Sequence, residues 1–443
     1  MKPSRALVSH LLAALVAVAS TVSAFAQDSS KKEVTRVACV GDSITFGAGI
    51  KDRKNKAYPV QLQGLLGDSF DVRNYGVSAR TMLRKGDHPY WKEKAYQDAL
   101  EFKPHYVFIK LGTNDSKPHN WKFKDEFAQD YKDLIQSFRD LDSKPKVYVC
   151  TPAPVFPERW GITEKVVKNE VMPISQQVAK EMNAPTVDFY EALEGRADLF
   201  PDKVHPNAGG AEIMAAVVYG EITGMPLNGK NLGNWRVKTK PKGENKWKIG
   251  VPALGKANPK AFDVGEGTGA MVNDVSGHGQ SFDIYSVNKF GDCRLEVELM
   301  VARGANSGIY LMGEYEVQVL DSFGKADKDM GAGDMGAIYG VGPAAVNGCK
   351  KPGEWQKYEI DWQAPRFDAE GKKTANAKFL KIVLNGKTLH ENVELKGATG
   401  GALRNKESAR GPIMFQGDHG PVAFRNLLIT ETASAGAKKK QVK

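Results

Sequence analysis

Cysteine is scarce in this sequence, and long apolar runs are missing after the first 26 residues. Only 4 of the 443 residues are cysteines, and a chain of this length can bury enough apolar surface without bridges, so a small disulfide-stapled scaffold is excluded. Cys39 and Cys150 lie in apolar, strand-like runs and are expected to be buried thiols. Cys293 and Cys349 form a disulfide or stay free, and the sequence leaves both alternatives open.

The one apolar run that resembles a targeting signal is at the amino terminus. Lys2 and Arg5 precede the apolar residues Leu11–Ala19, and Ala24-Phe25-Ala26 has the small residues of a cleavage site. We therefore predict a signal peptide over residues 1–26 and a periplasmic or secreted mature protein. An uncleaved anchor is the alternative, but the run is short for a membrane span. No later stretch is apolar and long enough to cross a membrane.

An excess of one charge is also largely missing from the body of the chain. The formal net charge is +10, yet six of the basic residues behind it lie close to the two ends: Lys2, Arg5, Lys438, Lys439, Lys440 and Lys443. A clustered basic face would be typical of nucleic-acid binding. The sequence therefore predicts no nucleic-acid partner.

The length and the change of pattern near Pro226 predict two domains. Residues 34–225 alternate apolar strands with helical stretches, which indicates a parallel sheet covered by helices on both faces. Residues 226–432 are rich in glycine and in short alternating strands, which indicates an all-β sandwich or jelly roll. Residues 433–443 combine small residues with lysines, and we expect a disordered basic tail.

Polar residues gather at four places in the first domain. Three blocks come at strand ends, Gly41-Asp42-Ser43, Asn74-Tyr75-Gly76-Val77-Ser78 and Gly112-Thr113-Asn114-Asp115, and the fourth, Asp202-Lys203-Val204-His205, precedes the last helix. Each group alone is consistent with an ordinary turn or helix cap. Ligands of open α/β sheets bind at the carboxyl ends of the strands, so together the groups predict one catalytic cleft. A serine in such a cleft becomes a useful nucleophile only where an adjacent histidine can accept its proton and a carboxylate can orient that histidine.

In this order the four blocks resemble the SGNH (GDSL) hydrolase family over about residues 34–225. The resemblance implies a flavodoxin-like, three-layer α/β/α fold and ester hydrolysis without a cofactor or metal. It assigns Ser43 as nucleophile, His205 as base and Asp202 as its orienting carboxylate. The N–H groups of Ser43 and Gly76 and the Asn114 side chain would form the oxyanion hole. The segment from Tyr106 to Ser116 is similar to members that act on acetylated sugars.

Three tryptophans of the first domain are candidates for sugar stacking. Trp91, Trp121 and Trp160 lie in or near segments that are expected to flank the cleft. The alternative is that they are partly buried core aromatics, and the sequence favours that interpretation.

In the second domain, strict alternation over Glu314–Asp321 sends Glu316 and Gln318 to one sheet face. A solvated outer face is the simpler explanation of this pattern alone. However, the run Asn306–Leu311, the Glu314–Asp321 segment and Asp418-His419-Gly420 resemble the 3-keto-disaccharide hydrolase family. That resemblance implies a concanavalin-like β-sandwich that cleaves or binds oxidised glycosides.

By position within this family, we expect one site lined by five residues: Glu316, Gln318, Asp321, Gln416 and His419. Whether this second site needs a cofactor is left open, and no metal-ligand set is predicted. The whole chain is thus predicted to be a carbohydrate esterase whose partner is an acylated saccharide or a glycoside. Its second domain would either cleave 3-keto-glycosides or serve only as a carbohydrate-binding module. The acyl group, the sugar and the oligomeric state are not predicted.

Overall fold

The computed structural model describes residues 34–224, 231–238, 243–275, 277–368 and 370–432. The predicted signal peptide, the boundary at Pro226 and the basic tail lie outside the described residues. From Thr35 onward the described residues belong to one compact unit. No helix within these ranges has the length and apolar character that crossing a membrane requires.

The first half of the chain forms a five-stranded parallel sheet with the order β2-β1-β3-β4-β7. This order is the flavodoxin-like one, so the predicted fold class is confirmed. The strands of this half are β1 Thr35–Gly41, β2 Phe70–Gly76, β3 Tyr106–Lys110, β4 Lys146–Cys150, β5 Glu158–Arg159, β6 Ile162–Thr163 and β7 Thr186–Val187. Gly41 pairs with both Gly76 and Lys110, so the last residues of β1, β2 and β3 meet at one edge.

Helices cover both faces of this sheet because the side chains of β1 alternate between two apolar cores. Ala38 and Val40 face one core, whereas Val37 and Cys39 face the other. The helices are α1 Ser43–Phe46, α2 Arg53–Lys56, α3 Tyr58–Leu66, α4 Lys94–Glu101, α5 Pro118–Trp121, α6 Lys124–Arg139, α7 Glu164–Val166, α8 Met172–Glu181, α9 Phe189–Leu193 and α10 Ala208–Thr223. A π-helical turn, Val167–Val171, joins α7 to α8 just before Pro173.

The second half of the chain is built from two antiparallel sheets, which confirms the predicted all-β architecture. The seven-stranded sheet has the order β19-β18-β15-β12-β21-β10-β9, and the five-stranded sheet has the order β14-β13-β20-β11-β8. The strands are β8 Trp235–Lys238, β9 Trp247–Leu254, β10 Phe262–Asn273, β11 Asp283–Phe290, β12 Cys293–Val301, β13 Asn306–Leu311, β14 Tyr315–Leu320, β15 Gln356–Gln363, β16 Arg366–Phe367, β17 Lys373–Ala375, β18 Ala377–Leu384, β19 Lys387–Leu395, β20 Gly411–Phe415 and β21 Val422–Glu431. Val317 and Val319 of β14 pack with Leu299 and Phe424 of the larger sheet in one apolar core.

All four cysteines are free thiols. The alternative in which Cys293 and Cys349 form a disulfide is therefore not the one that the structure adopts. Cys293 begins β12 within the sandwich core, and the Cys349 thiol lies near the backbone oxygens of Leu320 and Lys350.

Polar side chains join the two halves. Asn288 of β11 donates to the Val217 carbonyl and to the Glu221 carboxylate of α10. Arg236 of β8 donates to the carbonyls of Ala192 and Glu194 at the end of α9. Helix ends leave such carbonyls without partners in the helix, so the sandwich supplies a cap for α9.

Candidate active site

Ser43 is the first residue of α1, directly after the edge where β1 ends. The Asp42 carboxylate accepts the Ile44 N–H at 2.9 Å and so caps the helix, as the residue type predicts. A Cβ on Gly41 would lie 2.2 Å from the Thr45 hydroxyl oxygen and 2.5 Å from the Lys110 carbonyl oxygen. The turn therefore requires glycine at position 41, and this tight turn fixes where Ser43 points.

A buried ion pair lies beside this turn. Lys110 Nζ is 3.0 Å from one Asp42 oxygen and 3.2 Å from the other, and it also donates to the Thr113 hydroxyl at 2.6 Å. Both side chains of the pair are fully buried. Burial lowers the pKa of the Lys110 ammonium group, although the Asp42 carboxylate opposes this change. The sequence analysis missed Lys110, whose signal is a lysine at the end of an otherwise apolar strand.

The loop before α10 brings Asp202 and His205 to Ser43. Asp202 Oδ1 accepts the Val204 and His205 N–H groups at 3.0 and 2.7 Å. The other oxygen, Oδ2, lies 2.7 Å from His205 Nδ1, and His205 Nε2 lies 2.8 Å from Ser43 Oγ. Partial burial opposes charge on Asp202, but the hydrogen bonds from His205 and Val204 outweigh it and lower the pKa of the carboxyl. A charged Asp202 keeps the proton of neutral His205 on Nδ1, so that Nε2 is free to accept the Ser43 proton.

Gly76 does not have the role that the sequence resemblance implies. Its N–H donates to the Asn74 side-chain oxygen at 2.9 Å, so it is engaged within the chain. A Cβ at this position would lie 2.3 Å from the Phe46 backbone nitrogen, so glycine is needed for the close approach of α1. We therefore assign Gly76 a packing role, and the expected oxyanion contact through its N–H is corrected.

Asn114 lies where the sequence predicts it, at the edge after β3, and is 4% exposed. One hydrogen of its amide is donated to the Arg80 carbonyl at 3.1 Å, and an amide nitrogen carries a second hydrogen. The adjacent Ala79 has a φ of 67°, which is uncommon for a residue other than glycine. Within the described residues, no acceptor takes the N–H of Ala79 or of Ser43.

Asp115 fastens the loop after β2 to the loop after β3. Its two carboxylate oxygens accept the N–H groups of Met82 and Leu83 at 3.0 and 2.7 Å. Complete burial raises the pKa of Asp115 to about 7, against the opposing effect of these two hydrogen bonds. The loop that carries Ala79 and Arg80 is therefore held from both sides, by Asn114 and by Asp115.

The three tryptophans have different surroundings. Trp121 is buried and donates to Glu170, and half-buried Trp91 donates to the Met82 carbonyl, so both are structural, as the sequence favours. Trp160 is 53% exposed, and its ring centroid lies 5.6 Å from that of His205. Only Trp160 of the three is therefore both exposed and beside the cleft.

In the sandwich, three of the five expected site residues gather around Tyr310. The Tyr310 hydroxyl donates to the Gly400 carbonyl at 3.3 Å and accepts from Gln416 Nε2 at 3.4 Å, and Glu316 lies beside Tyr310 as its cross-strand partner. Burial raises the pKa of Glu316 to about 7, while Tyr310 and the nearby His419 lower it. His419 is itself paired with Asp418 through Nδ1.

The other two expected residues are placed differently. Gln318 is buried, and its side-chain oxygen has no hydrogen-bond partner among the described residues. Asp321 accepts the backbone N–H groups of Gly304 and Phe323, so its carboxylate joins two loops. It lies five residues along the chain from Glu316, roughly 17 Å in a strand. The expectation that Asp321 lines the same site stays a prediction.

The sequence analysis missed the residues that complete this polar group. Tyr310 pairs with Glu316 across β13 and β14, and Asp283 of β11 accepts the Gly417 N–H at 3.0 Å. Lys238 Nζ lies 3.4 Å from Asp283. In the sequence, Tyr310 has the pattern of an ordinary core aromatic, so no local feature identified it as a site residue. Within the described ranges, no cluster of three histidine, cysteine or carboxylate side chains is arranged to hold a metal ion.

Comparison with known families agrees with both halves. Residues 39–213 match the GDSL-like Lipase/Acylhydrolase family, and residues 225–430 match the 3-keto-alpha-glucoside-1,2-lyase-like domain. Each match covers less than half of the chain, the first within the α/β half and the second within the β-sandwich half. Both resemblances inferred from the sequence are confirmed.

Individual relatives cover only part of the chain. An acetylxylan esterase of Xylanibacter ruminicola is 45% identical over 210 residues, which are 43% of this chain and 44% of that relative. A provisionally named glycosyl hydrolase from Parabacteroides distasonis is 29% identical with a TM-score of 0.31, over 45% of this chain and 84% of that one. An acetylxylan esterase from Geobacillus stearothermophilus is 22% identical with a TM-score of 0.36, over 43% and 94%. The chain thus spans less than half of its curated relative.

Proposed function

We propose that this protein is a serine esterase that removes acyl groups, in particular acetyl, from saccharides. The observation that carries the proposal is the continuous chain of hydrogen bonds from Asp202 through His205 to Ser43. These distances lie within the reach that general-base activation of a hydroxyl requires.

In the proposed reaction, Ser43 Oγ attacks the ester carbonyl carbon while His205 Nε2 takes its proton. The tetrahedral intermediate collapses as His205 returns that proton to the leaving sugar oxygen, which leaves an acyl group on Ser43. A water molecule then attacks the acyl carbon with His205 as base, and Ser43 is released with its proton restored.

The intermediate carries a negative oxygen that needs hydrogen-bond donors. We propose the Ser43 N–H and the second hydrogen of the Asn114 amide for this role. The N–H of Ala79 replaces that of Gly76 as the third donor, since it has no acceptor within the described chain and Asn114 holds the adjacent carbonyl. No cofactor is part of this proposal.

The saccharide is proposed from the similarity to the relative named acetylxylan esterase. An extracytoplasmic location, periplasmic or secreted, is proposed from the amino-terminal segment alone. We also propose that the chain divides into two domains, residues 34–225 and residues 226–432.

The test is acetate release from O-acetylated xylan by the full chain. We expect Ser43→Ala to lower kcat by about ten-thousandfold or more, because no other group replaces the nucleophile. Ser137→Ala is the matched control, since Ser137 lies on α6 and donates only to the Leu134 carbonyl. Equal rates for Ser43→Ala and wild type would reject the proposal.

A second function rests on the sandwich. We propose that its polar group cleaves 3-keto-glycosides, with Glu316 as the proton-transferring residue. The support is the Glu316–Tyr310 pair beside His419, together with the match to the 3-keto-alpha-glucoside-1,2-lyase-like domain. A carboxyl with a pKa near 7 can both give and take a proton at neutral pH.

This second function is tested in the full chain by following 3-keto-glycoside loss by NMR, with and without a chelator. Glu316→Gln should slow the loss by about a hundredfold or more, whereas Glu370→Gln, at an exposed position, should not. Binding of the glycoside without any product would assign the sandwich a carbohydrate-binding role instead.

A further inference from the structure

Trp160 occupies the tip of a short hairpin beside the proposed nucleophile. Strands β5 and β6 pair Glu158 with Thr163 and Arg159 with Ile162, which leaves Trp160 and Gly161 as a two-residue turn. Their φ angles are 54° and 75°, so both residues have the left-handed conformation of a type I′ turn. Asparagine, aspartate and glycine are the residues that such turns favour at the first position. Trp160 therefore has a backbone conformation that tryptophan does not favour.

The hairpin is fastened to the loop that carries the catalytic histidine. The Phe156 N–H donates to the Lys203 carbonyl at 3.0 Å, and the Phe156 ring lies 4.9 Å from the Phe200 ring. Val155, Ile162 and Val204 are buried together in a small apolar cluster. The position of Trp160 is therefore set by the same loop that sets the position of His205.

The Trp160 side chain is exposed beside the cleft, and the Arg159 guanidinium lies over one face of its ring. More than half of the Trp160 surface is exposed, and the Arg159 guanidinium lies 4.9 Å from the ring centroid. A large aromatic side chain that is exposed on a strained turn gains nothing from core packing. Its closest aromatic neighbour is the His205 ring, with an angle of 51° between the two planes.

The position of the leaving group in the proposed mechanism indicates a role for the Trp160 ring. In the proposed mechanism His205 Nε2 protonates the leaving oxygen, which must then lie within about 3 Å of that nitrogen. The sugar attached to this oxygen extends from the His205 side of the cleft. The Trp160 ring lies on that side, whereas the carbonyl oxygen of the ester would point toward the proposed donors, Asn114 and Ala79.

We propose that Trp160 is a platform on which the pyranose ring of the leaving saccharide stacks, so that Trp160 determines specificity for sugar esters over simple alkyl esters. This inference rests on the esterase function proposed above. Aromatic faces pack against apolar ring faces, and the sugar hydroxyls around the ring remain free to meet water.

The test compares two acetyl esters with the same acyl group and different leaving groups. An O-acetylated methyl xyloside has a pyranose ring, whereas ethyl acetate has none. Trp160→Asn removes the ring and supplies a residue that the turn prefers, so its Tm should equal or exceed that of wild type. We expect its KM for the xyloside ester to rise about tenfold, with kcat unchanged, and both constants for ethyl acetate to stay within about twofold.

Trp160→Phe, which retains a ring, should keep most of the affinity for the xyloside ester, and Trp160→Gly should behave like Trp160→Asn. An unchanged KM in Trp160→Asn would overturn the inference. Equal losses on both esters would also overturn it, because Trp160 would then act only by positioning His205. If Ser43→Ala hydrolyses both esters as well as wild type does, the proposed esterase function fails, and this result is distinct from either outcome for Trp160.

Discussion

The two polar sites of this protein differ in how their buried groups are satisfied. In the hydrolase domain, Asp42 is paired with Lys110, and Asp115 accepts two backbone N–H groups. In the sandwich, the side-chain oxygen of Gln318 lacks a hydrogen-bond partner among the described residues, and burial raises the pKa of Glu316 to about 7, so its carboxyl is only partly ionised near pH 7. The first site is organised before any substrate arrives, whereas the second has polar capacity that a hydroxylated ligand can use.

The strongest test of the organised site is Asp202→Asn. The asparagine oxygen can still accept the Val204 and His205 N–H groups, but its NH₂ group would face His205 Nδ1 and favour the wrong tautomer. We expect kcat for acetate release to fall by about a thousandfold or more, with Tm nearly unchanged. A fall of less than tenfold would mean that Asp202 does not orient His205.

The buried ion pair is expected to have the largest effect on stability. Lys110→Met leaves the Asp42 carboxylate buried without its partner and should lower the free energy of unfolding by about 3 kcal/mol or more. Lys85→Met is the matched control, because its pair with Glu126 is exposed and should matter by less than about 1 kcal/mol. Urea denaturation of both variants measures the difference. Similar losses in the two would show that burial of the Asp42–Lys110 pair has no special weight.

A smaller catalytic effect is expected at Asn114. Asn114→Ala removes one proposed oxyanion donor and the hydrogen bond to the Arg80 carbonyl, so kcat should fall about a hundredfold. The KM should change little, since the lost contact forms mainly in the transition state. Asn120→Ala serves as comparison, because it removes a hydrogen bond to the Asn114 backbone carbonyl and leaves the Asn114 amide in place. Equal losses of kcat would argue for a purely structural role.

The least conspicuous effect is a pH dependence of stability in the sandwich. Burial raises the folded-state pKa of Glu316 to about 7 from its ordinary value of 4.5, so the folded state holds a proton that the unfolded state has released between these values. Stability should therefore fall as pH rises through this window and level off above it. Glu316→Gln removes this dependence, so its Tm advantage over wild type should grow from pH 5 to pH 7. A constant difference across that range would contradict the raised pKa.

The sequence predicted much of this fold because its parallel strands are short apolar runs that end at polar blocks. The approach of Ser43, Asp202 and His205 followed from the order of those blocks. The packing role of Gly76 could not be predicted from the sequence, because it depends on the Asn74 side-chain oxygen, which accepts the Gly76 N–H. In the same way, alternation placed Glu316 and Gln318 correctly on one face. Alternation gave no information on Asp321, whose carboxylate accepts N–H groups from two loops beyond the strand.

The contact of Arg236 with the end of α9 links the sandwich to the chemistry of the other half. Helix α9 leads within nine residues into the Asp202–His205 loop, so removal of the sandwich would take away the cap of the segment that leads to His205, the proposed catalytic base. The hydrolase half thus depends on the sandwich for the cap at the end of α9. Separating the genes for the two halves, in evolution or in the laboratory, would therefore make the position of His205 less well fixed, even if the second site had no activity of its own.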